Sequence, residues 1–178
     1  MKLNCDMGES FGSYSIGCDE KVMEHVHMAN IACGAHAGDP LVLEKTVALA
    51  VEHGVVIGAH PGYPDVQGFG RRYIDYSRAE IRAMVLYQTG ALAAFCTAAG
   101  TRLGYVKPHG MLYNTMMVDD DVLAAVFQAV AAYDSGVPVM IQATPRWQHH
   151  EKLAGDHGLS LLWEAFADRA YEPDGSLK

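Results

Sequence analysis

The chain alternates short apolar runs with longer amphipathic stretches from end to end. The runs Lys2–Cys5, Met28–Cys33, Val55–Ala59, Gly104–Val106, Val137–Gln142 and Leu159–Glu164 are brief and do not alternate strictly. Strands covered on both faces read this way, because neither side-chain direction meets water. Between them the apolar residues recur at helical spacing. Asp39-Pro40 supplies an N-cap and a first-turn proline ahead of the stripe Leu43, Val47, Ala50 and Val51. Ser77-Arg78-Ala79-Glu80 reads as a capping box before Ile81, Met84, Val85, Leu92 and Phe95. Asp119 caps a third helix with Val122, Leu123, Val126, Phe127 and Val130 facing inward. Thr144-Pro145 opens a fourth, and Asp19–His25 is a short helix between the first two strands.

This alternation predicts a mostly parallel sheet, either open and doubly wound or closed into a barrel. Pattern alone leaves both. The polar residues give a lead, because clusters follow the apolar runs: Asp6/Glu9, His36/Asp39, His60/Asp65, Lys107/His109 and Asp168/Arg169. Side chains converging from several strand ends on one mouth belong to a β/α barrel, whereas an open sheet gathers them at a switch point.

Composition narrows the classes. The 178 residues, half of them apolar, suit a single domain over 1–178 with one sizeable core. A net charge of −8 argues against nucleic acid, which needs a basic face, and Arg71-Arg72 is too small to make one. No window approaches the roughly 18 apolar residues of a membrane span, so no membrane partner is expected. Neither a signal-peptide core nor a disulfide-framework spacing occurs among Cys5, Cys18, Cys33 and Cys96, so reduced thiols and a cytoplasmic location are expected.

Five segments carry candidate chemistry. In Asn4–Gly12, Asp6 and Glu9 stand at a strand end, as metal ligands or an acid–base pair, or as caps of the following loop. His36 lies between small residues after the second run, and His60 ends a second Gly-Ala-His at the next one. Matched positions on neighbouring strands make that pair harder to dismiss than either histidine alone. Asp65 and the glycine-hinged Gly68–Arg72 form a solvated turn or a two-guanidinium clamp for a carboxylate or phosphate, through Arg71 and Arg72. Lys107-Pro108-His109-Gly110, running on to Asn114, offers an oxyanion stabiliser and a proton carrier. Asp168-Arg169 is either a further polar pair at the mouth or an ion pair that only tethers its loop. His25, His27, His53, His149, His150 and His157 read as surface or core residues. No G-x-x-x-x-G-K-[ST] loop, strand-linked G-x-G-x-x-G or G-x-S-x-G elbow is present.

The stretches LNCDMGESFG, ANIACGAHAGDP, GAHPGYPDVQGFGRR, KPHGMLYN and FADRAYEPDGSL, in that order, resemble the LamB/YcsF family, understood as the A subunit of prokaryotic 5-oxoprolinase. The resemblance implies a seven-stranded β/α barrel of the kind shared with sugar and polysaccharide deacetylases. It also implies ATP-dependent cleavage of 5-oxo-L-proline to L-glutamate together with separate B and C subunits. Members of the family run longer, so the seventh strand is expected to be missing and the edges of the first and sixth strands to be unpaired.

Matched motif by motif, Asp6, Glu9, His36, His60, Lys107 and His109 occupy the polar mouth. The expected catalytic set is Asp6, His36, His60, Lys107 and His109. His60 or His109 serves as base, Lys107 stabilises the oxyanion, and Asp6 orients a histidine or holds a metal. Glu9, Arg71, Arg72 and Asn114 are the expected substrate-binding residues. ATP is expected on a partner subunit, and a divalent metal is compatible with the carboxylates and histidines. Two other classes fit the same residues: a metal-dependent deacetylase-like hydrolase, and a non-catalytic scaffold subunit.

Overall fold

The computed structural model describes residues 1–172 and 175. Six strands form one parallel sheet in chain order: β1 (Asn4–Met7), β2 (Met28–Ala32), β3 (Val56–His60), β4 (Tyr105–Val106), β5 (Val139–Gln142) and β6 (Leu161–Glu164). Among the described residues six α-helices connect or flank them, with one 3₁₀ turn at Met23–His25 after the first: α1 (Asp19–Val22), α2 (Pro40–Glu52), α3 (Arg78–Ala98), α4 (Gly110–Val118), α5 (Asp120–Asp134) and α6 (Trp147–Asp156). The sheet curls as half a barrel. Among the described residues β1 and β6 pair with no strand on their outer edges, although the Asn4 side chain reaches Glu164 Oε2 at 3.3 Å across the gap. No helix of the described residues is long and apolar enough to cross a membrane.

The caps fall where the local chemistry places them. Asp39 accepts hydrogen bonds from the Leu41 and Val42 amides, Ser77 and Glu80 close a reciprocal box, and Asp119 accepts from Asp121 and Val122. The apolar stripes then face the sheet, burying Leu43, Val47, Ile81, Val85, Leu123, Val126 and Phe127 beneath α2, α3 and α5.

A smaller cluster, Met28, Tyr105 and Met140 with Leu162 against it, fills the concave side as a floor. Gly58 makes that floor possible: a Cβ there would run into the Tyr105 ring. Period-2 alternation along each strand carries the concave face upward from this floor to polar residues at the carboxyl ends.

Several boundaries differ from the sequence reading. β1 starts at Asn4 rather than Lys2, because Lys2 and Leu3 lie exposed before the sheet begins. Asp6 is therefore inside the strand, not after it. β5 and β6 each begin two residues later than their apolar runs, and α6 begins at Trp147 after a turn in which Thr144 Oγ1 accepts the Arg146 amide. α4 is an addition to the expected elements: the segment after His109 is helical from Gly110. The Glu-Pro-Asp-Gly-Ser stretch over 172–176, which reads as a turn in the sequence, falls largely outside the described residues.

Candidate active site

Three layers of polar side chains rise from the floor. Asn30, fully buried in the middle of β2, donates to Asn4 Oδ1 and Asp6 Oδ1, both at 2.7 Å, and accepts the Tyr105 hydroxyl. Above it Lys107, directly after β4, places Nζ 3.3 Å from Asp6 Oδ1, 3.1 Å from Glu164 Oε2 and 3.2 Å from Asn4 Oδ1. Glu164, the last residue of β6, also accepts the Tyr113 hydroxyl at 2.7 Å. A buried ammonium is tolerable only with such partners, and here two carboxylates and an amide oxygen supply them.

The imidazoles form the third layer. His60 ends β3, His36 comes from the loop after β2, and His109 is the residue preceding α4. All three are at least 96% buried, with exposures of 1, 0 and 4%. His60 Nδ1 lies 2.6 Å from the Lys107 carbonyl and His109 Nε2 lies 2.8 Å from the Phe69 carbonyl. His60 Nε2 meets His109 Nδ1 at 3.0 Å and Asp6 Oδ2 at 3.5 Å. Glu9 Oε1 is 3.2 Å from His36 Nε2 and 3.5 Å from His109 Nδ1. One donor atom from each of Glu9, His36, His60 and His109 lies within 4.8 Å of the others, a grouping able to hold a metal ion.

The loop that carries Phe69 is shaped for this contact. Phe69 adopts φ 55°, left-handed for a non-glycine residue, and Gly70 follows at φ 64°. A Cβ on Gly70 would sit 2.8 Å from both the His109 ring and His36. Asp65 holds the loop's base, accepting the Gly68 amide and pairing with Arg72 Nε at 3.0 and 3.1 Å.

Electrostatics separates the groups. Burial opposes charge on Asp6, but His60, Lys107 and the Asn30 amide outweigh it and hold this carboxyl far below the usual range. Burial raises Glu9 despite the histidines beside it. Burial, reinforced by the neighbouring imidazoles, pushes His109 down to about 3, and burial with His60 does the same to His36.

A cavity of about 250 Å³ opens over this layer, lined by Asp6, His60, Arg71, Lys107, His109, Tyr113, Asn114 and Arg169 among others. The structure thus brings Asp6, Glu9, His36, His60, Lys107 and His109 together. Arg71 and Asn114 face the cavity beside them. Arg72 does not: its guanidinium is spent on Asp65, so the expected two-arginine clamp has one arm from this loop. Arg169 supplies a second cation instead. Asn4, Asn30 and Tyr113 lie inside the quoted motifs without an expected role, and Glu164 lies outside them. The signal of Asn30 and Glu164 is present all the same, since a polar residue in an otherwise apolar strand, as in Met28–Ala32 or Leu161–Glu164, must find buried partners.

Six parallel strands with carboxylates, buried imidazoles and a buried ammonium converging at their carboxyl ends define a β/α-barrel protein with a polar mouth. The profile of the LamB/YcsF family matches residues 1–178, and the chain belongs to that family. It is 57% identical over 175 residues to a protein of Pseudomonas aeruginosa named as a 5-oxoprolinase A subunit, covering 98% of this chain and 70% of that one. A Vibrio parahaemolyticus protein, also named as the A subunit of 5-oxoprolinase, is 56% identical over 177 residues, with 99 and 70% covered. Among solved structures, the lactam utilization protein of Thermus thermophilus superposes with a TM-score of 0.92 at 45% identity, over 98% of this chain and 69% of that one. The naming of those relatives as one lettered subunit implies that they work with others.

Proposed function

We propose that the chain acts as the A subunit of an ATP-dependent 5-oxoprolinase, opening the lactam of 5-oxo-L-proline to L-glutamate with B and C subunits in the cytoplasm. The observation that carries this reading is a cavity lined by two chemically opposite sets of groups. His60, His109 and the ionised Asp6 suit activation of water. Lys107, which pairs with Asp6 at 3.3 Å, together with Arg71, Arg169 and Asn114 suits a carboxylate and a developing oxyanion. A small lactam that carries a carboxylate presents the matching groups.

The amide is resonance-stabilised and its re-closure is intramolecular, so net opening requires coupling to ATP. The sequence carries no glycine-rich phosphate loop, which supports ATP binding on a partner subunit. This chain then receives the activated lactam and directs water at its carbonyl, and Lys107 faces the oxygen that becomes negative. Reconstitution with B and C subunits tests the division of labour: glutamate should form only with all three chains and ATP. ATP turnover by this chain alone, proportional to its concentration, would sink the proposal.

A further inference from the structure

Two buried imidazoles face each other in a way that neutral rings do not tolerate. A carbonyl oxygen only accepts, so His60 Nδ1, against the Lys107 carbonyl, and His109 Nε2, against that of Phe69, each carry their ring's proton. The opposite nitrogens then bear lone pairs, and they stand 3.0 Å apart. Either a second proton or a metal ion must lie between them.

Glu9 favours the metal. Its Oε1 is 3.5 Å from His109 Nδ1, against 3.0 Å between the two imidazole nitrogens, and it lies within 4.8 Å of both. Ligand atoms about 2.0–2.1 Å from zinc at tetrahedral angles are roughly 3.3 Å from one another, so the two separations that involve His109 are close to a tetrahedron's edges. A metal ion would take that carboxylate oxygen as a third ligand, while His36 Nε2, 3.2 Å away, holds it in place. The carbonyl behind each ring is also the outer-shell partner that fixes a metal-binding histidine.

His36 satisfies the distance criterion but not the orientation. Its ring lies flat on His109, centroids 3.6 Å apart and planes within 2°. An imidazole lone pair lies in its ring plane, so one ion cannot sit in both of two parallel planes at that separation. His36 Nε2 instead donates to Glu9 and orients it.

We propose that Glu9 Oε1, His60 Nε2 and His109 Nδ1 form a three-ligand site for a divalent transition-metal ion, zinc-like in donor set, with its open position toward the cavity and His36 as a positioning residue. An ion there supplies an acidified water, which moves the basic role from a free imidazole to that water.

The test uses the full chain without substrate, so it stands or falls separately from the lactam reading. After dialysis against a chelator, the chain is titrated with Co²⁺ and then Zn²⁺, followed by visible absorption and metal content. One equivalent should bind with a tetrahedral cobalt spectrum. His60→Ala and His109→Ala should lose it, and His36→Gln should keep the same spectrum with affinity about 10–100-fold weaker, as for an outer-shell partner. Circular dichroism checks that each variant is folded. No binding by the wild-type chain, with ¹⁵N NMR showing a proton shared between the two rings, overturns the site. Loss of the spectrum in folded His36→Gln overturns the ligand set.

Discussion

Two regions of the molecule bury histidine, and they use it differently. At the strand ends, His60 and His109 each have one nitrogen on a carbonyl and the other aimed at a neighbouring titratable group. On α6, His150 is equally buried, yet among the described residues neither of its ring nitrogens has a hydrogen-bond partner. It lies near Trp163 and His149 and lines no part of the cavity. Burial alone therefore does not mark a reacting group. Position at a strand's carboxyl end and a partner that fixes the proton are what set His60 and His109 apart as the proposed reacting groups.

The sharpest break of this contrast is at Lys107, whose ammonium faces the cavity. Lys107→Met should lower turnover of the assembled enzyme by about 10²–10³-fold, the scale of a removed oxyanion donor. His109→Ala should cost about 10²-fold or more, whereas His150→Leu should leave turnover unchanged. Equal losses from the two histidine variants, at equal folding and assembly, would erase the distinction.

The two guanidiniums of the Phe69 loop refine it further. Arg71→Ala should raise KM by about tenfold or more, the scale of a lost charged hydrogen bond, with thermal stability unchanged. Arg72→Ala should lower the melting temperature instead, because Asp65 is left without its cation. A KM effect confined to Arg72 would reverse the assignment.

The smallest effect is on pH. Burial, followed by Arg146 and His149, depresses the pKa of His150 below its ordinary 6.5. The unfolded chain then binds a proton there that the folded chain refuses, so this contribution to stability is intact above pH 6.5 and declines as pH falls below it. His150→Leu should make denaturation midpoints less sensitive to acid over that range and should not destabilise the fold at neutral pH. A midpoint profile parallel to the wild type would show that His150 is solvated rather than buried neutral.

Much of this was legible before any coordinates. The caps at Asp39, Ser77 and Asp119 are local chemistry, and each appears as read. Polar residues at the ends of apolar runs pointed to one mouth because a parallel sheet has all its carboxyl ends together. Three kinds of information were not local. Asn30 and Glu164 sit within apolar strands, and their partners are distant in the chain, Asp6 and Lys107 among them. Arg71 and Arg72 are adjacent, and only the loop's backbone decides that one meets the cavity and the other Asp65. The helix after His109 was hidden because its Gly-Met-Leu-Tyr start has neither a capping side chain nor an acidic first turn.

The protons on His60 and His109 are addressed to main-chain oxygens, those of Lys107 and Phe69. Every residue type carries a carbonyl, so no exchange of side chain at position 69 or 107 removes the acceptor itself. The choice of tautomer is thus inherited through the path of the chain rather than the identity of a residue. Drift in sequence can replace the phenyl ring at position 69 while the imidazole keeps its orientation, provided the left-handed bend survives.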